Sequence, residues 1–101
     1  ITAIVCTSDI LALGALNEAR NRNLRVPQDL TITGFDGIPE AERAGLTTVR
    51  QPWLEKRGAA GRLLLEKGEP GRPRHIELET ELIIGATSGP PRPSEERWFG
   101  P

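Results

Sequence analysis

The chain has 101 residues with 13 Lys or Arg and 14 Asp or Glu, which gives a formal net charge of -1 at pH 7. A chain of this length supports one hydrophobic core, and 4% aromatic residues with no Met or Tyr make that core aliphatic. The near-zero charge argues against a stand-alone nucleic-acid binder, no apolar run approaches the roughly 20 residues of a membrane helix, and the single cysteine excludes an internal disulfide.

The first third of the chain predicts a strand, a helix and a second strand. Residues 2–7 form a short apolar run rich in β-branched side chains, which is typical of a buried strand. Ser8 or Asp9 then caps a helix that ends near Asn23, and the apolar face of this helix consists of Ile10, Leu13, Leu16 and Ala19. Residues 30–35 predict the second strand, and a strand–helix–strand unit of this size places both strands in parallel.

The rest of the chain predicts two further helices and two further strands. Residues 39–44 are expected to form a short helix and residues 46–49 a brief strand, and Pro52 begins a longer helix that ends before Gly68. Residues 75–84 alternate apolar and acidic side chains, which indicates one long half-buried strand or two short consecutive ones. The predicted fold class is α/β, with a parallel sheet and flanking helices.

Catalytic and metal-binding motifs are missing from the sequence. It contains one His and one Cys, so no cluster has the spacing of metal ligands, and it has neither a nucleophile elbow nor a phosphate-binding Walker loop. We therefore expect no enzymatic activity, no catalytic residues, and no metal or cofactor.

Candidate ligand-binding residues follow from the predicted topology. In an open parallel sheet, ligands bind beyond the carboxyl ends of the strands, where this chain has Asp9 and Asp36. Asp9 either caps the following helix or accepts hydroxyl protons from a sugar, and the two roles are compatible; Asp36 is interpreted as a turn-stabilising side chain. Trp53 and Gln51 together offer an aromatic face and an amide edge to a sugar or base ring, but packing also explains Trp53 and capping also explains Gln51.

Six short segments in a fixed order carry a resemblance to a known family. They are AIVCTSD at 3–9, ALG at 12–14, VPQDL at 26–30, GFD at 34–36, LTTV at 46–49 and QP at 51–52. In order and spacing they resemble the effector-binding domain of the lactose and galactose repressor (LacI/GalR) family of bacterial transcriptional regulators, over residues 1–88. The resemblance implies a periplasmic-binding-protein-like type I fold, in which two α/β lobes hold a small effector between them, commonly a sugar or nucleoside derivative.

The resemblance also implies roles for individual residues. Asp9 corresponds to the acidic residue that bonds the effector, and Ser8 stands beside it where the family often has Asn. Gln51 and Trp53 fall where the family's chain crosses between the lobes and lines the cleft. The resemblance thus implies four ligand-binding residues, Asp9, Gln51, Trp53 and Ser8.

Three further positions depart from the family pattern. Asn23 replaces a usual Gly, and Asn tolerates the left-handed conformation that a helix end requires. Gly37 replaces a frequent acidic or amide residue, which leaves the identity of the effector open. Gly85 replaces a usual Arg in the closing strand, which removes a charged anchor.

Domain organisation and partners are expectations from the same resemblance. Residues 1–88 would be the C-terminal portion of the effector domain, with parts of two lobes, and residues 89–101 a disordered tail. The N-terminal helix-turn-helix module that binds operator DNA would be absent from this chain. A homodimer or larger self-associated form is expected in the cytoplasm, with Leu16 and Leu46 at the dimer interface and no membrane partner. The alternative is a fragment of a solute-binding protein from a sugar uptake system.

Overall fold

The computed structural model describes residues 1–68 and 70–93. In chain order the elements are β1 (Ala3–Val5), α1 (Asp9–Asn21), β2 (Thr31–Thr33), α2 (Pro39–Arg43), β3 (Thr48–Arg50), α3 (Trp53–Leu65) and β4 (Glu81–Ile83). Helices and strands alternate along the chain, which confirms the predicted α/β class. Among the described residues, none of these helices is both long and apolar enough to cross a membrane.

Two parallel strands and one helix form the first unit of the fold. β1 and β2 pair in parallel with Ile4 opposite Ile32, as the strand–helix–strand pattern predicts. α1 connects them, and the Ser8 hydroxyl caps its first turn by accepting a hydrogen bond from Leu11 N at 3.2 Å. The helix ends before Asn23, whose φ of 59° is the expected left-handed conformation.

β3 and β4 form a second, antiparallel pair. Arg50 lies opposite Glu81, and its guanidinium lies 3.3 Å from the Glu81 carboxylate. The predicted strand over residues 75–84 is too long, because only Glu81–Ile83 pairs and residues 75–80 have no regular structure. β3 offers three residues for pairing, and an alternating segment without a partner strand cannot form a hydrogen-bond ladder.

The core lies between α1 and the parallel sheet and is aliphatic. Its buried members, each exposed by 4% or less, are Ala12, Leu16, Ala19, Leu30, Ile32, Ala41 and Leu46. Leu16 is 2% exposed and Leu46 is 1% exposed. The structure therefore corrects the assignment of Leu16 and Leu46 to a dimer interface, because their own chain already covers both side chains.

The segment that follows β4 packs along β2. The Ile32 amide donates to Thr87 O at 2.9 Å, and the buried Thr87 hydroxyl donates to Ile32 O at 2.7 Å. Further along, Arg92 Nη1 donates to the Asp29 carbonyl oxygen at 3.0 Å. The start of the predicted disordered tail, residues 89–93, is therefore placed by specific contacts, and the rest of that tail lies outside the described residues.

α3 extends away from the core. Ala59 is buried, but Leu54, Leu64 and Leu65 are 83%, 84% and 85% exposed. The Cα radius of gyration is 18.5 Å, which exceeds the roughly 13 Å expected of a compact domain of 100 residues. α3 thus presents apolar side chains that the described part of the chain does not cover.

Candidate functional site

Three polar or aromatic side chains meet between the carboxyl end of β2 and the start of α3. Gln51 Nε2 donates to Asp36 Oδ1 at 2.8 Å. The Asp36 carbonyl oxygen accepts hydrogen bonds from Trp53 Nε1 at 3.2 Å and from Gln51 N at 2.9 Å. Two of the four predicted ligand residues, Gln51 and Trp53, therefore lie together against Asp36, for which the sequence pattern favoured a turn-stabilising role.

Asp36 has a constrained backbone. Its φ is 136°, a conformation that residues other than glycine rarely adopt. A parallel bridge to Arg50 and the two donors to its carbonyl oxygen keep it there. Strained residues of this kind cluster at ligand-binding sites. Within the described part of the chain Asp36 Oδ2 has no hydrogen-bond partner, so it is available to accept a hydrogen bond from a ligand hydroxyl.

Lys56 fixes the orientation of the Gln51 amide. Its Nζ donates to Gln51 Oε1 at 2.8 Å and lies 5.2 Å from the centroid of the Trp53 ring. Because an ammonium group only donates and a carboxylate only accepts, the amide must turn its oxygen toward Lys56 and its NH₂ toward Asp36. The second N–H of that NH₂ group is then available to a ligand oxygen.

Asp9 does not face a cleft, and the structure corrects its assignment as the residue that bonds the effector. Its side chain is fully buried. Oδ2 accepts hydrogen bonds from Gly37 N at 2.7 Å and Ile38 N at 2.9 Å, and Oδ1 accepts one from the Thr48 hydroxyl at 2.6 Å. A buried carboxylate with three donors from its own chain has a structural role, because a ligand could reach it only by displacing them.

Ser8 remains a predicted ligand residue. Its hydroxyl oxygen caps α1, but the hydroxyl proton can still donate to another group. Asp9 N donates to Phe35 O at 2.9 Å, so the residues that follow β1 and β2 are neighbours. The half-buried Ser8 thus lies at the same edge of the sheet as the Asp36 cluster.

Gln51 also lines an acidic groove between the start of α3 and the segment that precedes β4. The groove has a volume of about 620 Å³, and its charged lining consists of Arg50, Glu55, Glu77, Glu79 and Glu81. Arg50 lies 3.3 Å from the Glu81 carboxylate and 3.9 Å from that of Glu42, so its charge is compensated. The local potential is therefore negative, which suits hydroxyl groups and disfavours anionic ligands.

Replacing Gly37 by alanine is expected to lower the free energy of unfolding by about 2 kcal/mol or more. The φ of Gly37 is 76°, and a Cβ there would lie 2.6 Å from Arg50 Cα. In this chain any residue with a Cβ meets the same obstruction, so the loop as folded here requires glycine at position 37. Urea denaturation of the full-length protein measures the change.

The matched control for Gly37→Ala is Gly61→Ala in α3. A Cβ at Gly61 would meet nothing within 4 Å, so this variant is expected to be more stable by about 0.5–1 kcal/mol. A Gly37→Ala protein as stable as the unaltered one would contradict the backbone geometry described for this loop.

Asp36 is a candidate site residue to which the sequence interpretation gave a turn-stabilising role. A signal for it was present, because it follows the second parallel strand as Asp9 follows the first. The topology gives these two acidic residues the same position at a strand end. Their hydrogen bonds differ, because Asp9 is buried with three donors from its own chain whereas one carboxylate oxygen of Asp36 remains accessible.

The chain matches known proteins over most of its length. The family model of the periplasmic binding protein-like domain matches residues 2–88. A curated relative, an HTH-type transcriptional regulator of Mycolicibacterium smegmatis, is 52% identical over 91 residues, which cover 90% of this chain and 25% of the relative.

Solved structures of two regulators are similar to this chain. A LacI family transcriptional regulator from Lactobacillus casei with bound sucrose has a TM-score of 0.72 and 29% identity, and the match covers 86% of this chain and 33% of that one. The LacI family transcriptional regulator CCPA from Weissella paramesenteroides with bound glucose has a TM-score of 0.74 and 33% identity, covering 87% and 32%. The chain spans about a quarter to a third of the length of these relatives.

Proposed function

Because this chain belongs to the periplasmic binding protein-like family, with LacI-type transcriptional regulators as its relatives, we propose that it forms part of the site where such a regulator binds its effector. The observation that supports this is the cluster of Asp36, Gln51 and Trp53. A carboxylate, an oriented amide and an aromatic ring in one place match the hydroxyl groups and apolar face of a sugar or nucleoside.

The charge around this cluster favours an effector without a phosphate group. Asp36 and the four carboxylates of the adjoining groove repel an anion, and they outnumber the two nearby cations, Lys56 and the already paired Arg50. Neutral sugars supply hydroxyl donors that these carboxylates accept. The bound sucrose and glucose in the two solved regulators are ligands of that kind.

The experiment is a thermal-shift and calorimetric screen of the full-length protein. The panel consists of sucrose, glucose, maltose, ribose, adenosine and glucose 6-phosphate. At least one neutral compound is expected to raise the melting temperature and bind with a measurable Kd, and glucose 6-phosphate is expected to bind at least tenfold more weakly than glucose. Preference for the phosphorylated sugar would contradict the proposed ligand class, and no binding by any compound would contradict the proposed function.

The wider role follows from the relatives. We propose that effector binding changes the lobe geometry of the full-length protein. This change alters the affinity for operator DNA of a helix-turn-helix module outside this chain. The bound effector is released unchanged, without turnover, and the compartment is the cytoplasm. The alternative of an uptake-system binding protein is disfavoured, since the relatives described above are transcriptional regulators.

Replacing Leu11 by aspartate is expected to separate a homodimer into folded monomers. Leu11 and Ile10 are 58% and 68% exposed on α1, and a Cβ at the neighbouring Gly14 would meet nothing within 4 Å. We place the dimer contact on this face because it is apolar and exposed, and because Gly14 has no side chain that would keep a second helix at a distance. Sedimentation equilibrium and circular dichroism of the full-length protein measure assembly and folding.

The control for the α1 face is Gln28→Asp, which adds the same charge at an exposed loop position. This variant is expected to remain dimeric. A Leu11→Asp protein that is folded and still dimeric would remove α1 from the interface.

A further inference from the structure

The buried carboxylate of Asp9 connects the elements that build the proposed effector site. Its three hydrogen-bond donors come from the loop after β2 and from β3: Gly37 N, Ile38 N and the Thr48 hydroxyl. These donors stand 28, 29 and 39 positions away from Asp9 in the sequence. Together with the Asp9 N to Phe35 O bond of 2.9 Å, they join the start of α1 to both segments.

Each of these contacts lies next to a residue of the cluster. Phe35 and Gly37 flank Asp36, so the chain on both sides of Asp36 is bonded to Asp9. Thr48 begins β3, the strand that leads into Gln51 and then Trp53. If the loop around Asp36 or the start of β3 moved relative to Asp9, the distance between Asp36 Oδ1 and Gln51 Nε2, which is 2.8 Å, would change.

Burial of the carboxylate makes this arrangement rigid. Asp9 has no exposed surface, and a charged oxygen removed from water must keep its donors or lose a large solvation energy. Its place in the first turn of α1 adds the favourable field of the helix N-terminus. The position also leaves little free space, since a Cβ at Gly34 would overlap Asp9 Oδ1.

We propose that Asp9 is a positioning residue for effector binding: it sets the relative placement of Asp36, Gln51 and Trp53 without touching the effector. This inference rests on the proposed function, because it concerns the same cluster. Ground-state hydrogen bonds that fix a binding group in its bound geometry raise affinity by lowering the entropy lost on binding.

The test compares Asp9→Asn and Thr48→Val with the control Asp29→Asn in the full-length protein. Asp29 is also a carboxylate with donors from its own chain, accepting from Arg25 N at 2.7 Å and Arg25 Nη2 at 2.8 Å, and these contacts lower its pKa. Each of the three variants weakens or removes a hydrogen bond to a carboxylate from its own chain. Asp29, however, makes no contact with the cluster residues in the described structure. Each Kd is measured for the neutral panel compounds at a temperature where the variant is fully folded.

Asp9→Asn and Thr48→Val are expected to weaken binding of a panel compound by at least tenfold, whereas Asp29→Asn changes its Kd by less than twofold. Thr48→Ser, which keeps the hydroxyl, is expected to restore the affinity. If Asp9→Asn does not fold, Thr48→Val decides, because it removes one of the three hydrogen bonds. Unchanged affinity in a folded Asp9→Asn or Thr48→Val protein would reduce Asp9 to a purely structural role and overturn the inference.

A second readout does not depend on any ligand. Trp53 Nε1 donates to the Asp36 carbonyl oxygen at 3.2 Å, so the nitrogen-15 resonance of this indole reports on the placement of Asp36. The ligand-free Asp9→Asn and Thr48→Val proteins are expected to shift it, and Asp29→Asn is not. If no panel compound binds the unaltered protein, the proposed function fails, while the indole resonance still decides whether Asp9 positions the cluster.

Discussion

Replacing Leu46 by aspartate is expected to unfold the protein rather than to separate its copies. Leu46 is 1% exposed and belongs to the core between α1 and the parallel sheet. A Cβ at Gly34 would lie 2.9 Å from Leu46 Cδ2, so this side chain packs closely against the backbone of Gly34. An unpaired carboxylate in this place costs about 4 kcal/mol or more, a large fraction of the 5–15 kcal/mol that typically stabilises a domain.

Circular dichroism and urea denaturation of the full-length protein measure this loss, and sedimentation shows whether assembly changes separately. Leu46→Met is the matched control, because it keeps the volume and is expected to cost less than about 1.5 kcal/mol. Leu11→Asp adds the same charge at an exposed apolar position and is expected to stay folded. A stable, monomeric Leu46→Asp protein would return this residue to the dimer interface.

The sequence predicted the first unit of the fold because its signals are local. Ser8 caps α1, Asn23 ends it, and the apolar residues between them recur at the spacing of a helix. A short crossover of this kind fixes parallel pairing of the flanking strands. By contrast, the alternating pattern over residues 75–84 does not determine how many of these residues form a strand. The length of the strand depends on the number of residues of β3 that pair with it.

The assignments of Asp9, Leu16 and Leu46 failed because strand order and a family resemblance place a side chain along the chain without showing which neighbours cover it. Leu16 has the spacing of an apolar helix face, and it packs in the core of its own chain with Ala12 and Ala19, whereas Ile10 of the predicted face is 68% exposed. Asp9 and Asp36 both follow parallel strands, but only the fold brings the Thr48 hydroxyl, 39 positions along the chain, onto Asp9. Gln51 and Trp53 lie close together in the sequence, and the fold brings both side chains onto Asp36; their contact with an effector stays a prediction.

Asp36→Asn is expected to weaken binding of the neutral panel compounds by about 10- to 100-fold, the loss typical of a hydrogen bond to a charged group. The amide keeps an oxygen for Gln51 Nε2 and tolerates the positive φ of 136°, so the fold is expected to persist. The change replaces the second carboxylate oxygen by an NH₂ group, which cannot accept a hydroxyl proton. Calorimetric titration of the full-length protein gives the Kd values.

The matched control for Asp36→Asn is Glu40→Gln in α2. Glu40 is exposed and lies 3.6 Å from the Arg43 guanidinium, so its neutralisation removes one negative charge from the same protein at a solvated ion pair. A surface pair of this kind contributes little, and binding is expected to change by less than twofold. If Asp36→Asn binds as tightly as the unaltered protein, the carboxylate does not contact the effector, and its constrained backbone serves only the turn between β2 and α2.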